Sequence, residues 1–426
     1  MRFAQKSSTI AQHCFWPIDI YSIFGYYFEM PLRQKQKRNI RIAFVVPSIS
    51  LNLQRILKGV HRYAMVNTNW HLRIAAGIPE RILPLLKKNG IDGMFVALHS
   101  KKLMSKVGTM NLPCISMDCL EIPKVLPYLT ADSVNAGKLA AEHFLERGFR
   151  HFAYYSPSNY FWSVRRRHGF SQKIHDAGYK ISVYNPNITK HDKYDWQSGR
   201  TWMKGLEGPI KWLHSLPKPV GLMACDDTIG YDLIEAAGEA GIRIPEEVAV
   251  VGAFNDDVLC NVSKLPLSSV AINLESAGFQ AAKLLNDIIL GKKTMAGQEI
   301  LAPATHVVTR QSSDIMAIND IDVAGALSFI RRSFNSRIQV ADIVDAASCS
   351  RRSLEAKFQS ILGRSIMKEV ARLRVERIAS LLLETDMSVD QITAASTFDS
   401  VSHLIRVFKK YKGISPAAFR KTHIVI

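Results

Sequence analysis

Short polar and basic side chains recur at matched places in two C-terminal segments. In IVDAASCSRRSLEAKFQSILGRS (343–365) they are Ser350, Arg351, Arg352 and Lys357. In ITAASTFDSVSHLIRVFKKYKGIS (392–415) they are Ser400, Ser402, His403, Arg406, Lys409 and Lys410, with Lys412, Arg420 and Lys421 following. On the N-terminal half of a helix, such side chains suit the reading of base edges in a major groove, and lysines behind them suit phosphates. A plain helical bundle whose repeats only pack would have no use for these polar positions. No pattern for catalysis accompanies them: the chain holds no G-x-x-x-x-G-K-[ST] loop, no G-x-S-x-G elbow and no H-E-x-x-H pair. The 13 histidines lack ligand spacing, with His168 read as a surface side chain, and the 6 cysteines form no C-x-x-C pair. The expectation is therefore no enzyme, no cofactor and no metal site.

The two segments are an internal repeat. Ile343 matches Ile392 and Ser348 matches Thr397, an offset of 49. Leu354 matches Leu404, Phe358 matches Phe408 and Gly363 matches Gly413, an offset of 50, so the second turn holds one more residue. Each copy reads as helix, tight turn, helix, with Leu and Phe four apart on the buried face and glycine as the C-cap. Between them, Met367 to Glu384 reads as a long helix that holds the units apart.

Upstream, from about Asn39 to Thr309, strands and helices alternate. Ile42–Val46 is a continuous apolar run, as a strand buried on both faces of a parallel sheet requires. Further strands are read at 72–76, 94–97, 114–117, 152–155, 181–184, 220–224 and 248–251. Helices are read at 54–66, 82–88, 136–146, 163–177, 198–215, 228–240 and 276–290. The run is too long for one sheet of average size, which implies two α/β lobes with a cleft between them. Helix 276–290 and a late strand at 305–309 then return the chain across the hinge. The fold class is a two-lobed α/β domain followed by an all-α domain with two helix-turn-helix units. The boundaries are 39–310 for the first, a polar linker at 311–319, and 320–426 for the second.

The 426 residues are 47% hydrophobic, enough for full cores, and carry a formal net charge of +18. That charge suits a polyanion, although acidic proteins and membrane surfaces also fit. Segment 321–426 holds 17 Lys/Arg against 10 Asp/Glu, so much of the excess lies elsewhere. Scattered cysteines favour a reduced, cytoplasmic setting, and no stretch approaches a membrane span. Residues 1–38 are an extension without a signal-peptide pattern. Met30 precedes the basic run Arg33, Lys35, Lys37, Arg38, and the expectation is that Met30 is the natural start. The rival reading is an aromatic arm that docks on the body.

From about Asp320 to Arg420 the chain resembles the AraC/XylS family of regulators, most specifically in FKKYKGISP (408–416) and Phe419-Arg420. The resemblance implies one recognition helix of each unit in successive major grooves. It departs at both turns, where Ser348 and Thr397 replace the family's glycine. Residues 40–310 resemble the effector domain of the LacI/GalR family in TADSVNAG (130–137), GIRIPEEVAVVG (241–252) and PLSSV (266–270), which implies a two-lobed domain of periplasmic-binding-protein type. This order of domains resembles the XylR-type regulators, as do ILAPATHVVTRQSSD (300–314) and LSSVA (267–271).

The resemblance implies a regulator of transcription, an activator in this family, with a double-stranded DNA operator, a small carbohydrate effector, a homodimer and RNA polymerase as partners. It also implies sugar-contacting roles for Arg166 (through the Arg-x-x-Gly pattern), Asp132 and Asp226. Trp162 lies one helical turn before Arg166, placed to stack on a sugar ring. Each has a structural counterpart: Asp132 as a helix cap, Trp162 as core, Arg166 as part of a solvated basic run, and only one of Asp226 and Asp227 facing the cleft. The family's later cleft carboxylate falls on Phe254, which leaves Asn255 or Asp256 to take its place, or a ligand other than xylose. A transport-type sugar-binding protein is the alternative, and the basic helical tail argues against it.

Overall fold

The structure, a computed structural model, describes residues 39–423 apart from 68, 99, 157–159, 185–206, 263, 296 and 319. The expectations for residues 1–38, and the first half of the helix expected at 198–215, lie outside the described residues.

The first lobe begins with β1 (Ile40–Val46), α1 (Leu51–Asn67), β2 (Trp70–Ala76), α2 (Pro79–Lys88), β3 (Gly93–Ala97), α3 (Lys101–Gly108), β4 (Cys114–Met117) and β5 (Tyr128–Ala131). The second holds α4 (Ser133–Glu146), β6 (His151–Tyr155), α5 (Phe161–Asp176), β7 (Ile181–Val183), α6 (Glu207–Ser215), β8 (Val220–Ala224), α7 (Asp227–Glu239), β9 (Val248–Phe254), α8 (Asp257–Val262) and β10 (Ser268–Ile272). Then α9 (Leu274–Ile289) and β11 (Glu299–Ala302) return to the first lobe, and β12 (Ala304–Val308) closes the second. The sheets run β11-β5-β4-β3-β1-β2 and β12-β10-β9-β8-β6-β7, parallel except where β12 meets β10. The central strands are the apolar runs read from sequence: all five residues of β3 and of β8 are buried, because helices cover both faces of each sheet.

Three crossings join the lobes: β5 to α4, β10 to α9 and β11 to β12. They are knit together, since Asp132 N donates to Ala302 O (2.8 Å) and Asn273 N donates to Pro303 O (2.9 Å). Asp132 and Asn273 also cap α4 and α9 through Asn135 N and Ser276 N. The helix that follows each of these two caps crosses a partner at glycine, α9 on α1 and α4 on α5. A Cβ on Gly169 would overlap the Val134 carbonyl, and one on Gly137 would overlap that of Arg166. The Arg-x-x-Gly pattern thus has a packing reason: Gly169 lets α5 lie close on α4 and so fixes Arg166.

The C-terminal part comprises α10 (Ile321–Ser333), α11 (Val340–Asp345), α12 (Arg351–Leu362), α13 (Ile366–Glu384), α14 (Val389–Ala394), α15 (Val401–Lys412) and α16 (Pro416–His423). It has two cores. Ile343, Leu354 and Phe358 lie in one with Val370; Ile392, Leu404 and Phe408 lie in the other with Val375, Ile378 and Leu382. The repeat is therefore one apolar solution used twice, and α13 feeds both cores from its two halves. Gly363 (φ 65) and Gly413 (φ 78) end α12 and α15 in left-handed conformation. Ser348 and Thr397 need no such conformation: among the described residues, the non-glycine positions with positive φ are Asn111, Asp118, Phe254 and Asn255.

Residues 311–318 are packed rather than a free polar tether. Ser312 and Ser313 are fully buried against the second sheet, with Ser312 Oγ donating to Val250 O (2.6 Å). Beyond them the side chains alternate: Ile315 and Ala317 pack on the α/β core, Met316 and Ile318 on the first helical core. An ionic chain completes the junction. Glu369, 1% exposed, accepts from Arg364 Nε (2.5 Å) and Arg372 Nη2 (2.9 Å). Arg372 Nη1 reaches Glu146 on α4 (2.6 Å).

Breaking a buried ion pair from one side leaves its partner's charge uncompensated. Arg372→Ala is expected to lower stability by about 3 kcal/mol, read by denaturant unfolding. A loss under about 0.5 kcal/mol, the range of ordinary surface changes, would show that Glu369 does not depend on it.

Candidate functional site

A cavity of about 230 Å³ lies between the lobes. Its polar wall comes from residues just beyond, or at the ends of, parallel strands: Ser50 and Asn52 after β1, Asp118 after β4, Thr130 in β5, Asp226 and Asp227 after β8, and Asp256 after β9. Ligands of doubly wound sheets collect at this edge, beyond the carboxyl ends of the strands. Leu53, Leu129, Trp162, Phe254 and Leu274 supply apolar surface.

The carboxylates differ in what they have left to offer. Asp226 Oδ1 caps α7 through Ile229 N (2.9 Å), and burial raises its pKa against the pull of that bond and of Arg166. Asp227 is spent on structure: Oδ1 accepts from Ser269 Oγ (2.5 Å) and Oδ2 from Asp256 N (2.8 Å). Burial pushes its carboxyl up to about 7. Asp256 Oδ1 accepts from Val258 N and Leu259 N, both at 3.0 Å. Asn52 Oδ1 is buried on this wall without a hydrogen-bond partner.

Of the residues named from sequence, Trp162 and Asp226 line the cavity. Both Asp226 and Asp227 reach the wall, where one was expected, although both Asp227 oxygens are engaged. Asp132 caps α4 at the hinge through Oδ1, the structural role weighed for it from sequence, and it is not among the residues that line the cavity. Asn255 is likewise not among the lining residues, and its Oδ1 accepts from Arg310 Nη2 (2.8 Å). Arg166 belongs to no solvated basic run; it is fully buried. Its Nη1 donates to Cys225 O and its Nη2 to Ser133 Oγ (3.4 Å). The rings of Trp162 and Phe254 lie 5.5 and 5.1 Å from its guanidinium carbon. Sequence reasoning missed Asn52 and Asp118, although the strand-end rule would have pointed to the residues after 42–46 and 114–117. It offered Asp256 only as a substitute for the displaced carboxylate.

The second site is the outer face of the helical repeat. Ser350 and Ser400 cap α12 and α15 through the N–H of Ser353 and His403. Arg352, Ser402, Arg406, Lys409 and Lys410 are exposed. Arg351 is exposed and pairs with Glu355 one turn on (3.0 Å), a weak link on a surface. His403 is half-buried with its ring edge-on to Phe398. Lys357, expected among the DNA contacts, is engaged within the protein. Its ammonium bridges Asp320 (2.8 Å) and Asp322 (2.6 Å), which pin α12 to the start of α10 and hold the lysine charged. Lys412 and Arg420 are likewise committed inward, the first to Glu376 (2.8 Å), the second to Leu382 O and Thr385 O at the end of α13. Among the described residues no group of histidine, cysteine and carboxylate side chains could hold a metal, and no helix is long and apolar enough to cross a membrane.

Comparison with known proteins matches residues 141–313 to the family described as periplasmic binding protein-like domain, and residues 343–422 to a helix-turn-helix domain family. The xylose operon regulatory protein of Haemophilus influenzae is 31% identical over 337 residues, 78% of this chain and 85% of that protein. Its counterpart in Escherichia coli K12 is 27% identical over 375 residues, 86% of this chain and 93% of that protein. The solved structure of the xylose-binding transcription activator xylR aligns over 91% of this chain and 99% of its own, with a TM-score of 0.56 and 25% identity. The CcpA regulator of Lactococcus lactis, 18% identical with a TM-score of 0.53 over 65% of this chain and 100% of its own, shares the fold of the first part.

The Asp227 carboxyl, lifted to about 7 from an ordinary 3.8, keeps a proton in the folded state that the unfolded chain has released. Its contribution is full below about pH 4 and is lost as pH rises through 7. Asp227→Asn is expected to flatten the fall in melting temperature between about pH 5 and 8 relative to the parent. An equally steep fall in the variant would place the responsible proton elsewhere.

Proposed function

The chain belongs to the family of the xylose operon regulatory proteins, and from that premise we propose that its cleft takes a neutral monosaccharide whose binding changes how the two helix-turn-helix units engage DNA. The observation that carries this reading is the pairing of a carboxylate-lined cleft with the exposed polar faces of α12 and α15, two helices whose cores are both fed by α13. A volume of about 230 Å³ falls below the roughly 300–1,000 Å³ of drug-sized sites, which suits one sugar ring rather than two. Asp118, Asp226 and Asp256 on the wall offer acceptors for hydroxyls and repel an anionic ligand. Pentoses such as xylose therefore fit better than sugar acids.

The α13 helix, with 19 residues, is ~28 Å long. That is close to one duplex turn of roughly 34–36 Å, a spacing suited to successive major grooves on one side of DNA. Arg352, Ser402 and Arg406 then read bases, while Lys409 and Lys410 meet phosphates. Ligand closes the lobes only if it binds the closed form more tightly than the open one. The reading takes the protein as a cytoplasmic homodimer that contacts RNA polymerase as an activator and catalyses no reaction. It is supported by regulator relatives and by the described thiols, of which Cys114 and Cys119 are pushed up to about 12 by burial and so kept unreactive. The transport-type alternative leaves the paired reading helices without a role.

Calorimetry with D-xylose, D-ribose, D-glucose, D-xylonate and D-glucuronate tests the ligand class. A neutral sugar is expected to bind at least about tenfold more tightly than either acid, a difference of 1.4 kcal/mol. Tighter binding of an acid would overturn the assignment. On the DNA side, Arg352→Ala and Arg406→Ala are each expected to weaken specific binding by about 1–3 kcal/mol and to relax one position of the site. Lys357→Ala should leave sequence preference unchanged and lower the melting temperature. Equal losses on every DNA sequence would reassign the two arginines to phosphates.

A further inference from the structure

The helices α12 and α15 repeat each other inside and differ outside. Leu354 and Leu404, like Phe358 and Phe408, fill matched places in the two helical cores. The exposed stripe of α12 opposite them holds Arg352, Glu355, Ala356, Gln359 and Ser360. The same places in α15 hold Ser402, Ile405, Arg406, Lys409 and Lys410. No pair in this stripe keeps its chemistry. Matched cores set matched helices, so the two units differ in what they present to a duplex.

The pair Glu355 and Ile405 is the most informative. Each is the fifth residue of a helix of 12, in the half that meets base edges. On a face turned to phosphates, a carboxylate costs affinity. The link from Glu355 to Arg351 (3.0 Å) is an exposed pair one turn apart and offsets little of that cost. What Glu355 can do there is accept from the N4 amino group of cytosine, while arginine donates to O6 and N7 of guanine. Ile405 is 37% exposed. A lone aliphatic side chain on a surface is ordinary, but this one stands between Ser402 and Arg406 in the middle of the stripe. Its helix contains no Asp or Glu. An aliphatic group at that place packs on the C5-methyl of thymine. Charge divides the same way. Arg406, Lys409 and Lys410 are exposed on α15 without an acid, whereas Glu355 offsets one of the two arginines of α12.

We propose that one chain reads two unlike half-motifs. Through Arg352 and Glu355, α12 reads a motif with guanine and cytosine. Through Ile405, α15 reads a motif with thymine, anchored on phosphates by Lys409 and Lys410. The first unit then supplies discrimination, because Glu355 penalises any site that sets a phosphate or another acceptor against it. The second supplies most of the salt-dependent affinity. The proposal rests on the reading above that these helices engage DNA, and it names the bases.

The test begins with DNA fragments selected from a random pool by the full chain. They are expected to carry two different motifs about 10 base pairs apart. Replacing thymine by deoxyuridine removes only the C5-methyl. At one position this is expected to weaken the parent about fourfold, the worth of one buried methyl group, and to cost Ile405→Ala nothing further. Glu355→Ala is expected to bind random-sequence DNA at least about twofold more tightly and to lose about fivefold or more of the cytosine preference at one position. The double variant Lys409→Gln, Lys410→Gln is expected to reduce the slope of log affinity against log salt by about 2. Melting temperatures check that these exposed substitutions leave the fold intact, and the deoxyuridine series on the parent needs no variant. Two copies of one motif at that spacing would overturn the proposal. So would a deoxyuridine cost that is absent from the parent or equal in Ile405→Ala, an unchanged base preference in Glu355→Ala, or an unchanged salt slope in the lysine variant. Each of these leaves DNA binding itself intact. Selection of no motif would overturn the proposal together with the reading on which it rests.

Discussion

Glu369 is a carboxylate with almost no access to water, and it is tolerable there only because Arg364 and Arg372 lie against it. Arg372 has a second carboxylate partner, Glu146 at the end of α4. Through this chain of charges, the electrostatics of the helical core and of the α/β domain become one problem. Separating the domains would take Glu146 from Arg372 and leave Arg364 and Arg372 to share Glu369. The alternating side chains of 315–318 add an apolar seam to the same junction. A sensor and a reader joined by a free tether would exchange little beyond effective concentration. Joined this way, the two parts share an apolar and ionic seam.

The helix α4 is the element on which these demands converge. Its first turn lies at the hinge, capped by Asp132, and its Ser133 hydroxyl accepts from Arg166 behind the cleft wall. Its end carries Glu146 and, one residue on, the Arg147 carbonyl that accepts from Ala317 N (2.8 Å). Fourteen residues make a rod of ~21 Å, stiffened by its close glycine crossing with α5. In the proposed ligand response, this rod would carry a rotation at the hinge to the base of the helical domain. Coupling of this kind needs only a difference in free energy between two arrangements, and typical values of 1–3 kcal/mol change affinity by about 5–150-fold. His143, buried beside Ser313 (2.7 Å), has its pKa driven well down by burial and by Arg147, Arg331 and Arg372, so the seam carries a neutral imidazole.

Much of this architecture was legible because it repeats or alternates. Leu354, Phe358, Leu404 and Phe408 betrayed two equal cores at a period of 49–50 residues, and continuous apolar runs such as Ile42–Val46 marked the buried parallel strands. Some short pieces were not legible. Strands β5 and β11 were not read; each holds four residues, a length at which a period is weak, although the equally short β4 was read at 114–117. The polar look of residues 311–318 hid the burial of Ser312 and Ser313, whose hydroxyls are satisfied by Val250 O and Ser268 rather than by water. Within the site, residue type predicted role less well than position did. Asp132 and Asn255 have the chemistry of sugar ligands but were claimed by a helix cap and by Arg310. Lys357 has the charge for phosphate but met two aspartates first. Such competition between local partners and ligand depends on distances that no linear pattern records.

The central claim is that occupancy of the cleft is felt at α12 and α15. Its most direct measurement is the affinity of the full chain for DNA fragments selected from a random pool, titrated with and without D-xylose and related neutral sugars at fixed salt. The account predicts selected fragments that carry two short motifs about 10 base pairs apart, and an affinity for them that one sugar shifts by fivefold or more. Enrichment of no motif, or an affinity that no sugar changes while calorimetry shows the cleft filled, would contradict it.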